Sequence, residues 1–87
     1  MKIEENRIVY EKNGEEVGVL EFQNKNEGVI DIYHTYVNPD YQGQQIASKL
    51  VEELIKKVKR ENKRITSSCS YGDYWMKKHP EYSDYYK

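Results

Sequence analysis

The residues between Val37 and Ala47 read Val-Asn-Pro-Asp-Tyr-Gln-Gly-Gln-Gln-Ile-Ala, and they join an extended apolar run to a regular amphipathic helix. A helix start leaves its first backbone N–H groups unpaired and carries the positive end of the helix dipole. Acidic side chains favour that position, yet Gln42, Gly43, Gln44 and Gln45 supply none. Unpaired donors with no competing carboxylate make an anion site, most often for phosphate. Gly43 lacks a Cβ, so a bulky anion can approach the backbone, and small Ala47 leaves room one turn on. The glutamine amides add donors. The plainer alternative is a helix capped by Asp40 whose glutamines face water. Neither G-x-x-x-x-G-K-[ST] nor G-x-G-x-x-G occurs, so P-loop and Rossmann phosphate sites are excluded.

The elements that must hold this site follow from periodicity. Ile8, Val9 and Tyr10 lead into Asn13-Gly14, a hairpin signal, and Val17, Val19, Leu20 and Phe22 return as a second strand. A second turn at 24–28 precedes a third strand at 29–37, rich in β-branched and aromatic residues and ended by Pro39. The helix is predicted from Gly43 to Glu61. Ile46, Ala47, Leu50, Val51, Leu54, Ile55 and Val58 form its apolar stripe, Glu52–Lys56 and Glu53–Lys57 are i,i+4 pairs, and Asn62 is its C-cap. A fourth strand at 64–70 follows, parallel to the third because a helix crosses between them. Tyr71, Trp75 and Met76 predict a short second helix stopped near Pro80, with an aromatic tail packed on the body. The fold class is α+β, in the order β-β-β-α-β-α: an antiparallel meander ending in a parallel pair.

Composition sets the frame. At 87 residues the chain is expected to be one domain spanning 1–87. With 14 basic and 15 acidic residues its net charge is -1, which argues against general binding to nucleic acid or an anionic membrane. Its mean hydropathy is -1.04, but the apolar residues are patterned, so disorder is not indicated. Cys69 is the single cysteine, no apolar signal region opens the chain, and no apolar stretch reaches membrane-spanning length. A cytoplasmic protein is expected. Cys69, His34 and His79 lack metal-ligand spacing, so no metal is expected.

The opening segment resembles the acyl-CoA motif [Q/R]-x-x-G-x-[G/A] of the GNAT superfamily of N-acetyltransferases. Gln42 takes its first position, Gly43 the glycine often seen second, and Ala47 the last. Gln45 departs from the pattern: a Cβ stands where the motif has glycine, which crowds a pyrophosphate if the backbone there needs a positive φ. His34-Thr35-Tyr36-Val37, Ser68-Cys69-Ser70-Tyr71 and Glu81-Tyr82-Ser83-Asp84 extend the likeness to a small bacterial branch of about 90 residues, covering about residues 8 to 86.

The resemblance implies that the parallel pair splays to admit acetyl-CoA. The pyrophosphate then rests on the segment Gln42, Gly43, Gln44, Gln45, Ile46 and Ala47, and the pantetheine arm lies along Thr35, Tyr36 and Val37. The expected reaction moves an acetyl group from the thioester to an amine that the sequence does not identify. His34 is the leading base, because its ordinary pKa lies near neutrality. Cys69 has three readings: acid for the leaving thiolate, nucleophile, or a small buried hydrophobe. Tyr71 is the third catalytic candidate, and Tyr74 and Trp75 read as core. The alternative function is a non-catalytic acyl-CoA-binding or protein-interaction module on a reduced scaffold. Either is compatible with a monomer or a weak homodimer.

Overall fold

A computed structural model describes residues 1–86. Five strands and two α-helices run in the order β1 (Lys2–Ile3), β2 (Arg7–Lys12), β3 (Glu15–Asn26), β4 (Val29–Val37), α1 (Ile46–Glu61), β5 (Arg64–Ser67) and α2 (Ser70–Lys78). Two short 3-10 turns, Pro39–Tyr41 and Pro80–Tyr85, flank the helices. The strands pair in chain order, antiparallel from β1 to β4 and parallel between β4 and β5. The α+β class and the parallel pair are therefore as expected, while β1 was not foreseen, being a two-residue edge strand with exposed side chains.

Asn13 and Gly14 both have positive φ, 52° and 79°, the pairing that suits a tight hairpin turn. In β3, Val17 faces the core together with Leu20 and Phe22, which strict alternation would not allow. The register shifts between Tyr10 and Glu11, so Val17 bulges inward. The α1 stripe of Ile46, Leu50, Val51, Leu54, Ile55 and Val58 lies on this sheet face and is buried throughout. Each such side chain contributes up to about 2 kcal/mol of burial energy. Asn62 ends the helix in the left-handed region at φ 59°, and Lys63 N–H donates to the Val58 carbonyl at 2.9 Å, as a Schellman closure requires.

Four predicted details are corrected. Helix α1 begins at Ile46 rather than Gly43, because Gly43 (φ 87°) and Gln45 (φ 60°) turn left-handed. Asp40 does not cap it. Instead the Asn38 side chain accepts from Asp40 N–H and caps the 3-10 turn. The ion pairs of α1 are Lys56–Glu53 and Lys57–Glu61, not the two expected i,i+4 pairs. Strand β5 stops at Ser67 rather than residue 70, since Ser68 and Cys69 N–H both turn to the Ile32 carbonyl, at 3.0 and 3.1 Å.

Helix α2 packs on the same face through Trp75 and Met76, and Tyr82, Tyr85 and Tyr86 of the tail pack against the core. Tyr86 bridges Ile65 and donates its hydroxyl to Asp73. Burial and that carboxylate push the phenol up to about 12. Close approach of α2 depends on Gly72. A Cβ there would lie 3.1 Å from Ser67 Cβ and 3.3 Å from Ile32 Cδ1, and would collide with Ser67 Oγ. Gly72→Ala is expected to lower stability by about 1–3 kcal/mol, read as a lower urea midpoint with unchanged slope.

Candidate active-site cleft

Pairing between β4 and β5 ends at Ile32–Ser67, yet β4 continues to Val37. Beyond Ile32, the edge of β4 that faced β5 has no strand partner. Asp31 helps hold the point of separation. It is 4% exposed and accepts from Thr66 Oγ1 at 2.8 Å and from Ser68 Oγ at 2.6 Å, one donor before and one after the last pair.

A cleft of about 820 Å³ opens between the end of β4, the start of α1 and one face of α2. Its size suits a cofactor-sized ligand. Thr35, Val37, Gln42, Gly43, Gln45, Ile46, Ala47 and Tyr71 line it, so the structure brings eight of the sequence-predicted residues to one place. Gln44, Tyr36, His34 and Cys69 are not part of the wall. Gln44 is turned to Lys12, whose ammonium donates to its side-chain oxygen at 2.8 Å. Tyr36 and His34 are exposed and alternate with Thr35 along the strand, so their side chains leave on the other sheet face. Cys69 sits at the N-cap of α2, half-buried against the core, with its thiol 3.7 Å from Thr35 Oγ1.

The first-turn donors of α1 are available. Lys49 N–H bonds to the Gln45 carbonyl at 3.0 Å, and the N–H groups before it have no partner within the helix. Gln45 makes no side-chain cap, and no acidic residue lies in the first turn. The whole cleft wall contains no carboxylate, in a chain with 15 acidic residues.

The α2 wall was largely missed in the sequence. Tyr71, Tyr74, Trp75, Lys78 and His79 all reach the cleft. Their offsets of three, four, seven and eight place them on one helical stripe, which was the available signal. Trp75 is core as expected, 3% exposed, but its indole N–H also donates to Ser48 Oγ at 2.7 Å and so ties α2 to the first turn of α1. His79 stacks on it with ring centroids 3.7 Å apart, and His79 Nδ1 lies 2.8 Å from the Trp75 carbonyl. A carbonyl only accepts, so Nδ1 carries the proton. Burial, with Tyr74 nearby, raises the Tyr71 pKa above the ordinary phenol value. Lys78 donates to the Tyr74 hydroxyl at 3.0 Å, which raises the lysine's pKa and keeps it charged. Among the described residues no cluster of three or more His, Cys, Asp or Glu side chains is placed to hold a metal ion, and no helix is long and apolar enough to cross a membrane.

Residues 7–85 match the family described as GCN5-related N-acetyl-transferase. A GCN5-like candidate N-acetyltransferase from Staphylococcus aureus superposes with a TM-score of 0.83 at 24% identity, covering 99% of this chain and 85% of that one. An N-acetyltransferase from Staphylococcus aureus Mu50 gives 0.69 at 24% identity, over 85% of this chain and 50% of that one. A protein from Salmonella typhimurium assigned as an acetyltransferase, solved with its cofactor acetyl-CoA, gives 0.58 at 26% identity, over 68% and 37%. The chain thus spans half or less of the length of the latter two. A search of the curated proteins found no match. With the family matched from β2 to the aromatic tail, this chain belongs to the GCN5-related N-acetyltransferases.

Proposed function

We propose that the chain binds acetyl-CoA in this cleft and transfers the acetyl group to an amine. The single observation that carries the reading is a cleft that joins unpaired helix-start donors to a free strand edge, with no carboxylate in its wall. Donors at one end suit a pyrophosphate. A free strand edge at the other suits the amide-bearing pantetheine arm, which hydrogen-bonds as an added strand does. In this reading the pyrophosphate rests on the segment from Gln42 to Ala47, and the arm follows Thr35 to Val37. The acetyl-CoA bound by the Salmonella typhimurium protein supports the same ligand class.

The transfer forms a bond from the amine nitrogen to the acyl carbon and breaks the bond from that carbon to sulfur. The departing thiolate needs a proton. Tyr71 is assigned that role because its phenol lines the cleft and carries its proton at neutral pH, although burial makes it a weaker acid than an ordinary tyrosine. It regains the proton from solvent. His34 stands outside the cleft, so in this reading the amine's proton leaves through water. Cys69 is assigned the packing role, with its thiol on Thr35.

Calorimetric titration with CoA and acetyl-CoA is the first test. Saturable binding is expected, and Gly43→Glu should weaken it at least tenfold by placing a carboxylate among the donors. Binding unaffected by Gly43→Glu would remove the pyrophosphate from the helix start, and no binding at all would favour an interaction module. In acetyl transfer to an amine panel, Tyr71→Phe should lower kcat by about a hundredfold while leaving the CoA dissociation constant within threefold. An unchanged kcat would rule Tyr71 out as the acid.

Gln45 has its own test. A side chain at φ 60° is strained by about 1 kcal/mol, which glycine relieves. Gln45→Gly should therefore leave stability unchanged or raise it by up to about 1 kcal/mol, and tighten CoA binding by removing a Cβ beside the phosphate. Weaker CoA binding would show instead that the Gln45 side chain contributes to the site.

A further inference from the structure

The α2 stripe has a chemical polarity. Tyr71 follows closely on the Ser68–Cys69 turn where β4 and β5 separate, and Lys78 and His79 line the cleft at the other end of the helix. Two helical turns separate Tyr71 from Lys78, roughly 10 Å along the axis. The helix-start donors of α1 lie on a different wall. The cleft therefore offers two separate places for negative charge: backbone donors on α1, and a cation on α2 whose ammonium is steadied by the Tyr74 hydroxyl at 3.0 Å. A lysine in an otherwise uncharged cleft wall, with only His79 beside it and no carboxylate to neutralise it, is placed for a ligand anion.

Coenzyme A carries its phosphates in two groups, a pyrophosphate in the chain and a monophosphate on the 3′ carbon of the ribose. We propose that Lys78 takes the ribose 3′-phosphate, so that this protein distinguishes CoA from 3′-dephospho-CoA. The proposal rests on the reading of the cleft as the CoA site. It assigns the two anionic groups to two walls and leaves the thioester at the Tyr71 end. Asp73, the one acidic residue of α2, does not oppose this, because it is engaged by Tyr86 and by Lys77 at 3.0 Å.

The test is calorimetric titration of the wild type and of Lys78→Met with CoA and with 3′-dephospho-CoA at low ionic strength. The wild type should bind CoA about fivefold more tightly, the scale of one exposed charge pair, and added salt should shrink the preference. Lys78→Met should remove the preference while leaving the affinity for 3′-dephospho-CoA unchanged. Equal wild-type affinities for the two ligands would overturn the proposal and leave the CoA site standing. So would an equal loss for both ligands in Lys78→Met, which would move the lysine to the pyrophosphate. Failure of the wild type to bind either ligand would bring down the reading of the cleft itself.

Discussion

The Ile32 carbonyl is where this small fold changes character. Up to that residue β4 and β5 run as an ordinary parallel pair. There one carbonyl accepts from two successive N–H groups, those of Ser68 and Cys69, and the ladder cannot continue. The chain must leave the sheet plane, and Cys69 becomes the N-cap from which α2 starts. Everything at the site follows from that departure. The rest of β4 keeps an unpaired edge, and α2 swings across the gap as the opposite wall. Asp31 makes the turn rigid, because its buried carboxylate needs both the Thr66 and Ser68 hydroxyls. Gly72 then lets α2 settle directly on Ser67 and Ile32. A larger residue would hold the wall away from the opening.

The second wall is positioned by the core rather than by its own loop. The chain between Pro39 and Gln45 has no fully buried residue, and within it only half-buried Tyr41 packs against the core. It is held from both ends. Asn38 caps the 3-10 turn on one side, and Ile46 is sealed into the core over Gly18 on the other. Between them Lys12 reaches from the hairpin to Gln44. Burial of Ile46 and Leu50 is strong enough to hold Gln45 at φ 60° without glycine. The donors at the helix start are thus presented by packing several residues away, and the strain at Gln45 is the local cost of that placement.

Much of this was legible in the sequence, and what was not has physical reasons. The hairpin at Asn13-Gly14, the α1 stripe and the β4 run are strong periodic or turn signals, and all three stand where expected. The bulge that turns Val17 inward and the early end of β5 are tertiary choices. Ser68, Cys69 and Ser70 suit a strand end as well as a helix cap, and only the position of Ile32 decides between them. At the site, the helix-start residues were readable because a missing acid is a local fact. Beyond Tyr71 the α2 wall was not, because Tyr74 and Trp75 read as core from their types, whereas Tyr74 is exposed and Trp75 is both core and wall. His34 shares the parity of buried Ile30 and Ile32, but the register shift that leaves Tyr33 unpaired sends it to the other face.

A net charge of -1 for the chain and a cleft wall without a carboxylate are both properties of this protein. Spatial arrangement reconciles them. The acids of α1 lie beyond its first turn, and those in ion pairs are engaged by Lys56, Lys57 and Lys63. The acid of α2 is turned toward Lys77 and Tyr86. What remains around the cleft is a set of oriented backbone donors and one lysine, within walls made largely of aromatic and small side chains. Screening in water fades charge over about 10 Å, so the near set dominates what a ligand feels inside the cleft and the distant acids contribute little. Charge bookkeeping over the whole chain therefore speaks to solubility and to weak surface attraction. Recognition of an anionic ligand depends on which few groups the fold leaves facing it.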